Sequence, residues 1–374
     1  EDFIVNEITN IDSFKDKKED SKPFYYFKLT KTNYEQIKAI KILADKFGTS
    51  SKRIHFAGTK DKVGITTQTI SIYDLNEDNF KTNVDFINEN VKDIQIEYIG
   101  KYDGRINLGD NLGNEFVITV RDLNKEDITR LNKNLKGIEK NGVLNYFDSQ
   151  RFGFANNSHI IGKYILKNEV EKAVKEILTS LPKDPSEDLK IFVEFINQNW
   201  EQIKESNQDI IDKGIELIPI FFRDAKAILL HLKKAKNDFP GSFRTIHKKL
   251  RTLYLNAYQS YLFNETIKEL KDKETKLEKL PLVTDKTELN KEIKELTLNL
   301  MEKDEIRKEN LELKSMPELK FRSQVFRQIK VFPKDIKINK EESDELNENK
   351  LKIQISFKLG SGEYATNVIK QLFE

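Results

Sequence analysis

Near the end of the chain, residues 351–358 read Leu-Lys-Ile-Gln-Ile-Ser-Phe-Lys, and this stretch is the strongest indication of the fold class. Its apolar side chains alternate with polar ones, which is the period-two pattern of a half-buried strand. The same alternation occurs early in the chain, at residues 94–98 and 116–121. Between these regions, from about residue 156 to residue 316, apolar residues recur at helical spacing instead. Strand-rich ends around a helical middle predict one sheet domain that a second, inserted domain interrupts.

The chain has 374 residues, enough for about two domains of ordinary size. We assign residues 1–154 and 318–374 to a discontinuous sheet domain. Residues 155–317 are assigned to the inserted, mainly helical domain. The predicted fold class is therefore α/β (α+β), with a mixed sheet that both ends of the chain build together.

The clearest single helix is predicted at residues 33–47, where apolar side chains recur every three to four positions. Thr32, with Glu35 three residues later, has the spacing of a capping box. Gly48 follows the last apolar residue, where helices commonly end. A strand is predicted immediately before this helix, in the aromatic run at residues 24–29.

Composition excludes several classes of protein. The sequence has no cysteine, which rules out a disulfide scaffold, a cysteine-ligated zinc site, an iron–sulfur cluster and a cysteine nucleophile. No apolar run approaches the roughly 20 residues of a membrane helix, and the first residues do not resemble a signal peptide. We therefore expect a cytoplasmic protein without membrane contact. The 64 Lys and Arg residues against 62 Asp and Glu exclude a uniformly basic coat but allow a local basic groove.

The sequence lacks the common motifs for metals and nucleotide cofactors. Its histidines show no close spacing of the His-x-x-x-His kind, so we expect no metal site. No Gly-x-Gly-x-x-Gly fingerprint and no Gly-x-Ser-x-Gly elbow occurs, which leaves dinucleotide and serine-hydrolase chemistry without support. The histidines are His55, His159, His231 and His247.

The most unusual segment, residues 57–68, reads Ala-Gly-Thr-Lys-Asp-Lys-Val-Gly-Ile-Thr-Thr-Gln. Its two glycines permit sharp backbone turns and the close approach of a ligand. Asp61 lies between two lysines, and a carboxylate flanked by cations stays ionised, which suits a nucleophile. Taken alone, the residues favour a surface turn with an ion triplet. A phosphorylated-aspartate enzyme is a third interpretation, which requires Mg²⁺ and further carboxylates near Asp61.

Two further segments combine aromatic and amide side chains. Residues 113–116 read Gly-Asn-Glu-Phe, and Asn114 and Phe116 face the same side of a strand, where they can hold a flat heterocycle. Residues 145–153 read Asn-Tyr-Phe-Asp-Ser-Gln-Arg-Phe-Gly, in which Arg151 can pair with phosphate and the rings can stack on bases. In isolation, each segment is better explained by core aromatics, a structural arginine or capping asparagine, and a turn.

Basic residues cluster at 233–236 and at 244–251, within the helical middle. Such clusters bind RNA phosphates in some proteins and are ordinary solvated surfaces in most. The lysine- and glutamate-rich stretch at 268–314 is interpreted as a solvated helical face without a function of its own.

Taken together and in this order, five segments resemble the TruD family of tRNA pseudouridine synthases. The resemblance implies the pseudouridine synthase sheet fold, interrupted by the family's own inserted TRUD domain. It also implies isomerisation of a uridine, typically position 13 of tRNA, to pseudouridine without a metal or organic cofactor. The segments are residues 1–7 (Glu-Asp-Phe-Ile-Val-Asn-Glu), 57–68, 113–121, 145–153 and 364–366 (Tyr-Ala-Thr).

By this resemblance, Asp61 is the catalytic aspartate. Phe3, Asn114 and Phe116 fall on family positions that line the uridine site. The target base has to leave its stack in the folded tRNA, so we expect the two phenylalanine rings to pack on the extruded base. The family usually has alanine where Gly64 stands, a difference that we expect to be harmless.

The resemblance implies tRNA as the partner, with Lys60 and Arg151 as further candidates for RNA binding. The oligomeric state is not readable from the sequence, and a monomer is the expectation. An alternative function is an RNA-binding protein or RNA chaperone on the same scaffold, with little catalysis. Salt-sensitive tRNA binding that does not depend on Asp61 would distinguish this alternative from the enzyme.

Overall fold

The computed structural model describes residues 2–11, 23–76, 80–271, 273, 275–321 and 325–374, so Glu1 of the first segment lies outside the described residues. The chain divides into two compact units. The first comprises Glu1–Val143 and Val331–Glu374, and the second comprises Leu144–Lys330. Within the described ranges, no helix combines the length and apolar character needed to cross a lipid bilayer.

The strands lie mostly in the first unit. In chain order they are β1 (Phe3–Thr9), β2 (Phe24–Thr32), β3 (Ile54–Phe56), β4 (Ile65–Tyr73), β5 (Ile94–Tyr102), β6 (Asn111–Leu123), β7 (Val143–Leu144), β8 (Lys279–Pro281), β9 (Phe326–Gln328), β10 (Lys330–Val331), β11 (Lys334–Ile338), β12 (Glu342–Ser343) and β13 (Leu351–Gly360). The three alternating stretches of the sequence correspond to β5, β6 and β13.

The helices lie in both units. In chain order they are α1 (Gln36–Lys46), α2 (Phe80–Asn90), α3 (Lys125–Asn141), α4 (Ser158–Leu166), α5 (Val170–Thr179), α6 (Glu187–Gln198), α7 (Trp200–Lys204), α8 (Gln208–Glu216), α9 (Arg223–Lys234), α10 (Phe239–Arg244), α11 (Lys248–Leu270), α12 (Lys291–Lys303) and α13 (Ala365–Phe373). The run from α4 to α12 confirms that the middle of the chain is mainly helical.

The main sheet is mixed and joins both ends of the chain. Its strands run in the spatial order β11-β13-β6-β1-β4-β2-β5, with β3 paired to β4 and β12 paired to β13. The central strand β1 is parallel to β4 and antiparallel to β6. Strand β13, from the end of the chain, pairs with β6 along most of its length. This pairing confirms the predicted α/β class with a mixed sheet.

One row of side chains crosses five neighbouring strands. Lys31 of β2 aligns with Thr66 of β4, and Thr66 aligns with Val5 of β1. Val5 aligns with Phe116 of β6, which aligns with Phe357 of β13. Aligned residues on neighbouring strands project from the same face of a sheet. A cationic end and an aromatic end therefore share one face, and the candidate site is built on it.

Two hydrophobic cores cover this face. One core packs α1 and α2 on β2 and β4, with Phe27 and Ile70 fully buried. The other packs α3 and α13 on β6 and β13, around Phe357 and Val368. Neither core includes Lys31 or Thr66, the residue aligned with it on β4. Polar side chains thus occupy the part of this face that lies between the two apolar cores.

The second unit is organised around α11. This 23-residue helix is buried on several sides and carries Tyr258 and Leu262 into the core. Helix α4 packs closely against it at Gly162, where an added Cβ would lie 2.3 Å from the carbonyl oxygen of Tyr254. Only a residue without a side chain permits this approach of the two helices.

The predicted capping box of α1 is wrong. Thr32 is the last residue of β2, and Glu35 is the N-cap but makes no side-chain capping hydrogen bond. Asn33 instead turns the chain with a positive φ of 51°. Its N–H donates to the carbonyl of Gly64, and its Oδ1 accepts from the Gly64 N–H, both at 2.9 Å. The turn before α1 is therefore tied to the loop that carries Asp61.

Candidate active site

Asp61 lies in the loop between β3 and β4, with its side chain exposed to solvent. The sheet holds this loop at two points. Lys31 of β2 donates a hydrogen bond from Nζ to the main-chain carbonyl of Asp61. Gln68 of β4 donates from Nε2 to the carbonyl of Gly58 at 3.3 Å. The loop therefore lies on the same sheet face as the row of aligned side chains.

Lys60 turns inward, whereas the neighbouring Asp61 faces solvent. The Lys60 Nζ atom is 2.6 Å from Oε2 of Glu7 and donates to Oδ1 of Asn114 at 2.9 Å. The side chains of Lys60 and Glu7 are only 8% and 0% exposed, so salt screens their attraction weakly. Glu7 of β1 aligns with Asn114 of β6. The loop is thus joined to the strand that carries the candidate uridine-binding amide.

This contact fixes the orientation of the Asn114 amide. A lysine ammonium group only donates hydrogen bonds, so the Asn114 oxygen faces Lys60 and the NH₂ group points elsewhere. Among the described residues, that NH₂ group has no hydrogen-bond acceptor. The Asn114 side chain, which is bound by the residue before Asp61, therefore presents a donor to an acceptor on a ligand.

Phe3 and Phe116 lie together on the same face. Their ring centroids are 6.2 Å apart with an angle of 47°, and Phe116 also contacts Phe357 at 5.8 Å. A flat base between two parallel rings needs roughly 7 Å, about twice the contact distance of carbon atoms. The two rings therefore pack on each other here and leave no slot between them. Phe116 is 7% exposed, whereas Phe3 is only partly buried.

Gly64 brings the Asp61 loop against Phe3. Its φ of +107° lies in a region that other residues rarely adopt. An added Cβ would lie 2.4 Å from the Phe3 carbonyl oxygen and 2.9 Å from Cδ1 of its ring. The expectation that alanine and glycine are interchangeable at this position is wrong for this backbone, because the loop and β1 approach too closely.

Arg121 fixes the residue that precedes Phe3. Its Nε and Nη2 atoms donate to the two carboxylate oxygens of Asp2 at 2.8 and 2.9 Å, a bidentate geometry. It also donates to Asp344 at 2.8 Å and to Glu345 at 3.0 Å. The hydrogen bond from Arg121 to Asp2 lowers the pKa of Asp2. The hydrogen bond from Arg121 to Glu345, together with one from a lysine side chain, lowers the pKa of Glu345 to about 2. This ion network anchors the start of β1.

Arg151 belongs to the second unit. Its Nε donates to Oγ of Ser260 on α11 at 2.9 Å, and its guanidinium lies 5.4 Å from the ring centre of Phe147. Asn264 of α11 exchanges hydrogen bonds with the main chain of Phe147 at 2.8 and 2.9 Å. The segment at residues 145–153 is therefore anchored on α11, and an RNA-binding role for Arg151 stays a prediction.

The structure brings the loop of Asp61 against Asn114 and Phe3, and Phe3 against Phe116, and it adds two residues that were not predicted. These are Lys31 and Glu7, which bind the loop and its lysine. Lys31 had a readable signal, because it occupies an inward position in the alternation of β2. Glu7 stands in the first family segment, but its role was not readable because its partner comes from a loop more than 50 residues away.

The phosphorylated-aspartate interpretation needs carboxylates that converge with Asp61. Within the described part of the chain, no group of three or more histidine, aspartate or glutamate side chains is placed to hold a metal ion. Glu7, which lies near the loop, is paired with Lys60. This interpretation is therefore left without support.

Comparison with known proteins identifies the family. The family model described as tRNA pseudouridine synthase D (TruD) matches residues 1–280 and 270–372. The chain belongs to the TruD family. This match confirms the resemblance that was drawn from the five segments, and the TruD assignment covers nearly the whole sequence.

Curated TruD proteins align over the full chain. "Probable tRNA pseudouridine synthase D 2" of Methanocaldococcus jannaschii is 34% identical, across 100% of this chain and 90% of its own length. "tRNA pseudouridine synthase D" of Aquifex aeolicus is 29% identical, across 100% of this chain and 96% of its own length. Both alignments include the sheet segments and the helical middle, so no large part of this chain is foreign to the TruD family.

A solved TruD structure has the same fold. The crystal structure of TruD from Methanosarcina mazei matches with a TM-score of 0.80 at 26% sequence identity, covering 100% of this chain and 92% of that one. The likeness supports the pseudouridine synthase sheet and the helical second unit described above.

Proposed function

We propose that this TruD protein isomerises a uridine of tRNA to pseudouridine, with Asp61 as the catalytic carboxylate. Family membership across the chain supports the reaction and the substrate class. One observation carries the assignment of Asp61. Its exposed carboxylate follows Lys60, which binds Asn114 at 2.9 Å, and the same loop touches Phe3 through Gly64. The loop that carries Asp61 thus contacts both Asn114 and Phe3, which supports the assignment.

The chemistry balances within the substrate. The C1′–N1 glycosidic bond breaks, the uracil turns, and a C1′–C5 bond forms. C5 then loses its proton, and N1 gains one. An ionised carboxylate can attack C1′ or C6, or it can accept the proton from C5, and an exposed Asp61 is suited to each role. The reaction is an isomerisation, so it needs no external oxidant or reductant.

The target uridine has to leave its stack before Asp61 can reach it. In the proposed complex, the partly exposed ring of Phe3 stacks on the extruded base, and Phe116 supports Phe3 from behind. Stacking of a base on an aromatic side chain contributes about 1–3 kcal/mol. The oriented NH₂ group of Asn114 donates to a uracil carbonyl. We assign Lys60 to holding Asn114 rather than to contacting RNA, because its side chain is 8% exposed.

Three further proposals concern the working form of the enzyme. We place it in the cytoplasm as a monomer. We also propose that it acts without a metal or organic cofactor, because the isomerisation needs no electron carrier and a carboxylate can act as the nucleophile or base. Activity that survives exhaustive dialysis against EDTA, and a single monomeric peak in size-exclusion chromatography, are the expected results. Activity restored only by added metal would contradict the proposal on cofactors.

The substitution Asp61→Asn tests the assignment while keeping the size of the side chain. Tritium release from a tRNA transcript that carries 5-tritiated uridine should fall by about 10³-fold or more, because the reacting carboxylate is lost. Binding of the tRNA should change by less than about threefold, since Asn retains the polar contacts. Asp85→Asn is the matched control, because Asp85 is an exposed aspartate of α2.

Carbodiimide mapping of the treated transcript identifies the product and its position. We expect one new pseudouridine with the wild-type protein, at position 13, and none with Asp61→Asn. Full activity of Asp61→Asn would overturn the role of Asp61. Tight tRNA binding by the wild type without any pseudouridine would favour the RNA-binding alternative instead.

A further inference from the structure

Lys31 is a lysine at a position where the strand pattern calls for an apolar residue. Along β2, Tyr25, Phe27 and Leu29 point into the core, and Lys31 follows at the same spacing. Lys31 is only 1% exposed. Placing an ammonium group in a protein interior is unfavourable unless another group compensates its charge. The location of Lys31 therefore requires an explanation beyond packing.

The hydrogen-bond partner of the Lys31 ammonium group is the main chain of Asp61, and within the described ranges no direct ion pair neutralises its charge. Among the described residues, no aspartate or glutamate lies within ion-pair distance of Lys31. Its ammonium group donates instead to the main-chain carbonyl of Asp61. Burial lowers the pKa of Lys31, and the negative charge of Asp61 acts in the opposite direction. The negative charge of the candidate catalytic carboxylate thus favours the charged form of Lys31.

The other charged groups around the loop do not take this role. Lys60 is bound to Glu7 and Asn114. Lys62 is exposed and makes no ion pair with Asp61 in the described part of the chain. On the face shared with Lys31, the buried Oγ1 of Thr66 is neutral and has no hydrogen-bond partner in the described part of the chain. The residue aligned with Lys31 on β4 is therefore uncharged.

We propose that Lys31 is the positioning residue of the Asp61 loop. Its ammonium group holds the main chain at Asp61 and keeps a poorly screened positive charge beside the Asp61 carboxylate. The inference rests on the proposed function, because it concerns how that carboxylate is made ready for reaction. Lys31 acts through Asp61 and has no assigned contact with the substrate.

Single-turnover kinetics with saturating enzyme tests the role of Lys31. Lys31→Met should slow pseudouridine formation by about 30- to 100-fold, because both the loop contact and the charge are lost. Lys31→Arg should stay within about tenfold of wild type, because it keeps the charge. The tRNA dissociation constant should change by less than about threefold in both variants. Lys28→Met is the matched control, since Lys28 is an exposed lysine of the same strand.

The pH profile separates positioning from a merely structural role. A lysine is charged below its pKa, and burial lowers that pKa for Lys31, so the wild-type rate should decline as pH rises, at a lower pH than the one at which exposed lysines lose their charge. Lys31→Arg should lack this decline, and Lys31→Met should be slow at every pH. Parallel profiles for the three proteins would overturn the inference. If Lys31→Met does not fold, the comparison of wild type with Lys31→Arg decides alone.

A titration of Lys31 by NMR tests its coupling to Asp61 without depending on enzyme activity. In NMR spectra of protein labelled at the lysine ε-carbon, the signal that is missing from Lys31→Met should titrate at lower pH than exposed lysines. Asp61→Asn should lower this midpoint further, because the charge that raises it is gone. An unchanged midpoint would overturn the coupling. If the wild type forms no pseudouridine, the proposed function fails, and this titration still tests the link between Lys31 and Asp61.

Discussion

At the scale of single residues, the site depends on a glycine as much as on charged groups. Gly64→Ala should lower the free energy of unfolding by about 1–3 kcal/mol, because its φ is positive and the new methyl group would meet Phe3. Urea unfolding at 25 °C measures the change. Gly58→Ala is the control, since no atom lies within 4 Å of its added Cβ, and it should change stability by less than about 0.5 kcal/mol. Equal stability of the two variants would contradict the described loop.

Only some of the residues of the candidate site could be predicted from the sequence. Asp61, Asn114 and Phe116 were predicted because they stand in segments that resemble the family. Lys31 lies outside these segments. Glu7 lies in the first of them, but its role, like that of Lys31, arises from a loop that reaches strands distant in sequence. A pattern of alternation reveals which side chains face inward, but it does not reveal which loop they meet there.

At the scale of elements, the ends of β1 and β6 are joined by carboxylates with lowered pKa values around Arg121. Such groups stabilise the fold above their unfolded pKa, near 4, and this stability is lost as pH falls toward about 2. Arg121→Met should therefore be less stable than wild type at pH 7, and the gap in melting temperature should narrow between about pH 4 and pH 2. Differential scanning calorimetry measures both.

A control variant tests whether replacing any exposed arginine has the same effect on stability as replacing Arg121. Arg105→Met removes an exposed arginine of the same unit and should follow the wild-type pH profile. A gap between Arg121→Met and wild type that stays constant across this pH range would show that packing, rather than charge, explains the stability of the network.

Elements were predicted better in their interiors than at their ends. Alternation predicted strands at residues 94–98, 116–121 and 351–358, and the observed strands extend beyond each of these stretches. The start of α1 was missed because Thr32 pairs within the sheet, whereas its side chain was expected to cap a helix. Local spacing cannot distinguish these outcomes, since the competing partner, Ile65 of β4, lies far along the chain.

At the scale of the whole molecule, near-zero net charge means that tRNA binding depends on a few exposed cations. Of the basic clusters in the second unit, Lys233 and Lys236 are each paired with a carboxylate. Lys248 and Lys249 are exposed and have no such pair within the described ranges. Replacing both of the latter by Gln should weaken tRNA binding and reduce the slope of log affinity against log salt by about 1–2.

Filter binding between about 50 and 200 mM salt measures this slope, with the tRNA transcript as ligand. The matched control replaces Lys233 and Lys236 by Gln, and its effect should be smaller because those lysines are already neutralised. A larger effect in this control than in the Lys248 and Lys249 variant would contradict the assignment of the RNA-facing cations.

The way the second unit ties its own ends together bears on how the protein is made on the ribosome. The N–H of Asn145 donates to the carbonyl of Ile329 at 2.8 Å, so the two sequence-distant points meet once this unit has formed. Before that event, β6 and β13 are joined by a long flexible connection; afterwards, only short tethers remain, which lowers the entropic cost of joining them. Nascent chains should therefore complete the main sheet last, after β13 has left the exit tunnel. A translation product that ends before β13 should lack the complete sheet and should be inactive.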